Sequence, residues 1–155
     1  MELADEPPVS ADPAREIVST RDFASPRAAV FEAFRDPHRL ARWWGPAGFS
    51  NEIHVFDLRP GGVWRFTMTG PDGTAYPNES RFIYVEPPDR IAFVHELPVH
   101  RFRMTMTFED LAGRTHLTWR MLFESVFDAD RVRPFVSEAN EQNFDRLQHH
   151  LQREP

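Results

Sequence analysis

A change of hydrophobic period near residue 125 constrains this chain more than any other feature. From Ser50 to about Glu124 apolar and polar residues alternate, whereas from Asp128 to Arg153 apolar residues recur at three- and four-residue steps. Val132, Phe135, Val136, Ala139, Leu147 and Leu151 make one apolar stripe, while Glu138, Glu141, Asp145, Arg146 and Arg153 occupy other faces of the helical wheel. A long one-striped helix at the end of a strand-rich chain must lay that stripe on the sheet. Asp128 or Asp130 can cap its first turn, and Pro134 suits the start of the main helix, so a short turn and then the long helix are expected. Asn140 and Asn143 sit beside or within the stripe, where an amide is either satisfied by a neighbour or meets a ligand.

Upstream, Met1 to about Ala14 is acidic, carries Pro7, Pro8 and Pro13 and has no apolar period, which predicts a disordered lead-in before a single domain over residues 15–153. Glu16 to Phe23 alternates around Ile17, Val18 and Phe23 as a first strand. Ser25-Pro26 then caps and opens a helix to about Arg35, with Val30, Phe31 and Phe34 on its apolar face. Asp36-Pro37 repeats the signal for a second short helix ending near Trp43. Six more strands follow, separated by turn residues at Arg59-Pro60-Gly61-Gly62, Gly70-Pro71-Asp72-Gly73, Pro87-Pro88-Asp89, Leu97-Pro98-Val99 and Ala112-Gly113.

Turns this short pair neighbouring strands antiparallel, and a one-residue slip would send every side chain to the wrong face. Placing Leu97 opposite His100 sets His95 against Phe102, Phe93 against Met104 and Ile91 against Met106. Closing the next hairpin around Leu111 and Ala112 sets Met106 against Leu117, Met104 against Trp119 and Phe102 against Met121. Closing the previous one at Pro87-Pro88 adds Tyr84 beside Phe93 and Phe82 beside His95. Arg101, Arg103, Thr105, Thr107, His116, Thr118 and Arg120 take the opposite, water-facing side. Glu79 and Arg81 are in conflict, inward by the Gly70–Gly73 hairpin and outward by the following one. A bulge near Pro77-Asn78 is expected to resolve this, leaving Glu79 at most near the mouth of a cavity. The fold class is α+β: one strand, two short helices, six antiparallel strands and a long helix under a curved seven-stranded sheet.

Composition removes several functions. There is no cysteine, hence no disulfide frame or thiolate chemistry, and all 18 positive side chains are arginine, which excludes a Schiff-base lysine. A net charge of -6 disfavours binding to a phosphate backbone, so nucleic acid is not an expected partner. Neither a leader nor an apolar run of membrane length is visible, and a cytoplasmic protein without membrane insertion is expected. His149 and His150 are helix neighbours about 100 degrees apart, which argues against a joint metal site, and no cofactor is expected. The inward-facing set Trp64, Phe66, Met68, Tyr84, Phe93, Phe102, Met104, Met106, Trp119 and Met121 can fill a core or line a pocket. His95 either supplies polarity to a ligand or is a histidine bonded to a backbone carbonyl or near the rim in water, and with Tyr84, two residues along the neighbouring strand, it could hold a ligand carbonyl or phenol.

Trp43-Trp44-Gly45 after the second helix, Arg59-Pro60-Gly61-Gly62-Val63-Trp64-Arg65-Phe66 at a hairpin and Glu86-Pro87-Pro88-Asp89-Arg90-Ile91, in this order of elements, resemble the activator of heat-shock ATPase homologue family. That family belongs to the START-like, or SRPBCC, superfamily of helix-grip proteins, and the resemblance covers about Glu16 to Leu151. It implies an apolar cavity between the curled sheet and the last helix, but not a reaction, because the superfamily places carriers, cyclases and chaperone activators on one scaffold.

The resemblance turns the inward set, with His95, Phe135, Ala139 and Asn143 added, into a candidate site for a small apolar molecule. An enzyme of the cyclase or hydrolase kind using His95 and Tyr84 is the alternative, since neither a nucleophile with its base nor a metal cluster is visible. A chaperone-interacting module would use Arg65, Arg101, Arg103 and Arg120 on the convex face, near Glu96 and Glu124. A chaperone partner is not expected, because the eukaryotic activators carry an additional amino-terminal domain for which this chain has no room. An exposed edge strand at about Asn51–Phe56 could pair two copies as a homodimer.

Overall fold

A computed structural model of the protein describes residues 12–97 and 101–154. Of the lead-in expected over Met1 to about Ala14, residues Met1–Ala11 lie outside the described residues, as does the turn at Pro98-Val99-His100. A 3-10 turn, Pro13–Arg15, precedes β1 (Glu16–Phe23), α1 (Arg27–Arg35) and α2 (Pro37–Trp43). Then come β2 (Ser50–Phe56), β3 (Val63–Thr69), β4 (Ala75–Glu86), β5 (Arg90–Leu97), β6 (Phe102–Leu111), β7 (Arg114–Phe123) and α3 (Val126–Arg153). All pairings are antiparallel in the order β1-β7-β6-β5-β4-β3-β2, so the first strand returns to pair with the last. No helix among the described residues is long and apolar enough to cross a membrane.

Asp36 caps α2 as expected, its carboxylate accepting from His38 N at 2.9 Å, with Pro37 in the first turn. Ser25 does not cap α1: Pro26 takes the cap position, and Ser25 O accepts instead from Thr115 Oγ1 at 2.8 Å, tying α1 to β7. In α3, Ser125 rather than Asp128 or Asp130 is the cap, accepting from Asp128 N at 3.1 Å. The helix runs unbroken from Val126 with Pro134 inside it, so the expected separate turn is absent. Pro134 is exposed, and its ring therefore sits on the water side of the helix.

The β5–β6 register is as expected, with Ile91 on Met106, Phe93 on Met104 and His95 on Phe102. The β6–β7 hairpin closes one residue later than expected, on Ala112-Gly113 with positive φ at both, the backbone of a tight two-residue hairpin turn, and this shifts the register by two. Phe102 therefore meets Phe123, Met104 meets Met121 and Met106 meets Trp119. Because the slip is even, every side chain keeps its face. The β4–β5 expectation is overturned: Phe82 pairs with Phe93, two residues from the expected His95, Ser80 pairs with His95, and a bulge between Phe82 and Tyr84 turns Tyr84 toward Ala92 on the outer face. The β3–β4 pairing sets Trp64 on Ser80, Phe66 on Asn78 and Arg65 on Glu79, so Glu79 and Arg81 point outward without a bulge at Pro77-Asn78.

The core occupies one end of the grip. Phe31 meets Phe108, Phe34 meets Trp43 and Trp64, and Phe144 of α3 packs on Phe23 and Trp119. Each fully buried aromatic or aliphatic side chain contributes about 1.5–3 kcal/mol. The buried line along α3 is Ala129, Asn140, Asn143, Phe144, Leu147, His150 and Leu151, flanked by half-buried Val132, Val136 and Ala139. Phe135, expected in the stripe, is 74% exposed. Arg146 joins α3 to the carboxyl end of α2, donating to the carbonyls of Arg42, Trp44, Gly45 and Pro46 at 2.9–3.1 Å.

Candidate ligand site

The side chains of α3 change in volume along its length, and that gradient creates the site. Toward its carboxyl end the sheet-facing residues are Phe144, Leu147 and Leu151, which fill the space under the sheet. Toward its middle they are Val136, Ala139, Asn140 and Asn143, too small to reach across. The gap is a cavity of about 380 Å³ between α3, strands β3 to β7 and the loop after α2. Its size falls in the range of small-molecule sites.

Of the residues expected at the site, Trp64, Phe66, Met68, Phe93, His95, Phe102, Met104, Trp119, Met121, Ala139 and Asn143 line this cavity. Three do not. Tyr84 lies on the outer face through the β4 bulge, with the Arg90 guanidinium 5.0 Å from its ring centre. Met106 is buried between Ile91 and Trp119 and does not reach the cavity. Phe135 points to solvent. Sequence reasoning missed Trp44, Gly45, Pro46 and Phe49 of the loop, Tyr76, Asn78 and Ser80 of β4, and Val136. The Trp-Trp-Gly stretch marked the loop without saying that it turns inward. Asn140 lines the cavity from within the stripe where its position had raised the question.

The cavity wall is mainly aromatic and thioether. The Trp44 ring lies 5.0 Å from Trp64 and 5.3 Å from Trp119, Trp64 stacks on Phe66 at 4.6 Å, and Phe49 meets Tyr76 at 6.2 Å. The loop bearing Trp44 and Phe49 is pinned to α3, because Arg146 holds its carbonyls and Gln142 Oε1 accepts from Ala47 N at 3.1 Å. Gly45 has φ of 95°, and a Cβ there would come within 2.8 Å of Met68 Cε. The polar groups are few. Ser80 Oγ lies 3.5 Å from His95 Nδ1, and the His95 ring stacks on Phe102 at 4.8 Å. Asn78 Nδ2 donates to Tyr76 O, Asn143 Nδ2 to Trp43 O, and Asn140 Nδ2 to Ser19 Oγ. Among the described residues no Asp, Glu, Lys or Arg lines the cavity.

A second hollow, of about 470 Å³, lies at the end of α3 among Arg42, Asp145, Arg146, His149, His150, Arg153 and Glu154. Most of its charge is already paired: Arg42 with Glu154, Arg146 with the α2 carbonyls, and His150 Nε2 with Arg39 Nε at 3.1 Å. Among the described residues no cluster of His, Asp or Glu is placed to hold a metal ion.

The model of the family described as Activator of Hsp90 ATPase homolog 1-like protein, AHSA1, matches residues 24–152. The chain belongs to the AHSA1 family. Solved structures agree on the helix-grip, START-like architecture of that family. A protein from Nitrosomonas europaea superposes with a TM-score of 0.85 at 20% identity, covering 95% of this chain and all of its own. One from Arthrobacter aurescens gives 0.85 at 25% identity, covering 93% and 90%. The AHSA1 protein from Silicibacter pomeroyi gives 0.76 at 21% identity, covering 90% and 99%. At identities of 20% and 21% the likeness is one of fold. No curated protein matches the chain. Seen as an AHSA1 domain, the Trp-Trp-Gly and Arg-Pro-Gly-Gly stretches do structural work. The first puts Trp44 and Gly45 into the cavity wall, and the second brings Gly62 so close to Asp57 O that a Cβ would lie 1.9 Å from it.

Proposed function

We propose that this AHSA1 protein is a non-enzymatic binding protein that encloses a small, mostly apolar molecule between its sheet and α3. One observation carries the reading: a cavity of about 380 Å³ walled by aromatic rings, three methionines and a few amides, with no Asp, Glu, Lys or Arg among the described residues that line it. An apolar wall with a few placed polar groups is the usual character of a ligand site, and methionine adapts to varied apolar guests. The alternative of acid–base catalysis by His95 and Tyr84 loses its geometry, because the two side chains lie on opposite faces of the sheet. Native mass spectrometry of the freshly purified protein, followed by denaturing extraction, tests the proposal. A stoichiometric mass excess released on unfolding is the expected result. A clean apo mass, with no thermal shift from neutral apolar compounds at a hundred times micromolar affinity, where about 2.7 kcal/mol of stabilisation is due, would overturn it.

A further inference from the structure

The polar atoms of the cavity have one bias that narrows the ligand further. Asn78, Asn140 and Asn143 are buried and line the cavity, and each uses its amide nitrogen on the protein: on Tyr76 O at 2.8 Å, Ser19 Oγ at 3.1 Å and Trp43 O at 2.9 Å. For Asn78 and Asn143 the partner is a backbone carbonyl, which can only accept, so the amide orientation is fixed by chemistry. All three Oδ1 atoms accept no hydrogen bond among the described residues, and none is sealed inside protein. The indole nitrogens of Trp64 and Trp119 also lack a partner, but those atoms are enclosed and out of a ligand's reach. Beside Ser80, Tyr76 and the His95 ring, which can donate or accept, the amides therefore add three acceptors to the polar edge. Buried acceptors are as a rule satisfied, so three open ones around a void call for a donor.

Charge points the same way. Among the described residues no carboxylate, guanidinium or ammonium lines the cavity, and Arg146, beside the loop that does, is held by four carbonyls. An anionic head taken into such a site loses its hydration without compensation, at a cost of several kcal/mol. The rings of Trp44, Trp64, Phe66, Phe93, Phe102 and Trp119 offer faces and edges to a flat aromatic guest.

Resting on the ligand-binding reading above, we infer that the ligand is a neutral aromatic molecule carrying a hydroxyl or equivalent donor, and not a fatty acid or other anion. Three probes on one skeleton test this by calorimetry and thermal shift on the full chain: 4-phenylphenol, 4-methoxybiphenyl and biphenyl-4-carboxylate. All three are measured at pH 8. The phenol should bind one to one. The methyl ether, which keeps the shape but has no donor, should bind about tenfold or more weakly, and the carboxylate at least a hundredfold more weakly. Equal affinity for phenol and ether overturns the donor requirement, and a carboxylate that binds as well as the phenol overturns neutrality. Either result leaves the cavity's role as a binding site intact. Silence from all three removes that role, and this inference with it.

Discussion

His150 is buried on α3 with its Nε2 accepting from Arg39 Nε at 3.1 Å and its Nδ1 3.7 Å from Glu154 Oε2. A ring that accepts a hydrogen bond from a guanidinium must be neutral at that nitrogen. Burial first, and then the charges of Arg39 and Arg42, hold its pKa below the ordinary 6.5, against the opposing pull of Glu154 and Asp36. The folded state therefore binds a proton less readily than the unfolded chain. The stability His150 contributes is present above pH 6.5 and is lost as pH falls below that value toward the lowered folded pKa. We expect the urea midpoint to drop between pH 7 and pH 5, and His150→Gln, which keeps an acceptor for Arg39 but cannot titrate, to flatten that slope. A parallel slope in the variant would remove His150 as the cause. Gly62 gives a prediction of a different kind. Because a Cβ there would sit 1.9 Å from Asp57 O and 3.0 Å from Arg59 O, both backbone atoms, Gly62→Ala cannot be relieved by a side-chain rotation. Destabilisation on the order of 2–4 kcal/mol is expected in chemical unfolding, whereas Gly61→Ala, in open space at φ of 83°, meets only backbone strain.

At the scale of elements, the sheet was legible because its strands alternate and its turns carry glycine and proline. The β4 bulge was not, and the reason is local. Phe82-Ile83-Tyr84-Val85 is apolar throughout, so an extra residue inside it leaves no broken alternation to read. That single residue carried Tyr84 out of the site, while Phe82, Ser80 and Asn78 before it keep the inward face. The same ambiguity misplaced Phe135, since Phe135 and Val136 are adjacent apolar residues and only one can face the sheet. The buried line runs through Asn140 and Asn143, two polar residues that the apolar pattern passes over. Pro134 was read as a helix start because proline in a helix interior is costly, removing a bond to the residue four earlier. Its place on the water side of α3 tolerates the ring but does not restore that bond. Pro134→Ala should therefore stabilise the protein by about 1–3 kcal/mol, read as a higher urea midpoint with an unchanged slope. A loss of stability would mean that Pro134 makes a contact worth more than the bond it removes.

The whole molecule is a compromise between a packed half and an open one. β1 pairs with β7, and the inward-facing Arg21 of β1 reaches Asp145 at 2.6 Å and Glu141 at 3.0 Å on α3, which fixes the helix against the sheet near one edge. The packed half, with Phe23, Phe144 and Leu147, anchors α3, so its middle can stand over a void without collapsing onto it. If the void exists for a guest, the fold should survive filling it while function does not. Ala139 is the position to fill, because it lines the cavity, is half-buried and sits on a helix that accepts larger residues without backbone change. In Ala139→Phe the added ring should take up part of the guest's place. We expect the apo variant to unfold at an equal or higher temperature, by about 1 kcal/mol at most. The ligand-induced shift of the parent, about 2.7 kcal/mol at a hundred times its dissociation constant, should disappear. The two readings together discriminate: a variant that is folded yet still shifted by 4-phenylphenol would place the guest elsewhere on the molecule. One that loses the shift only because it has unfolded would be recognised by its lost cooperative transition, and Ala139→Leu, a smaller filler, then repeats the test on a folded chain.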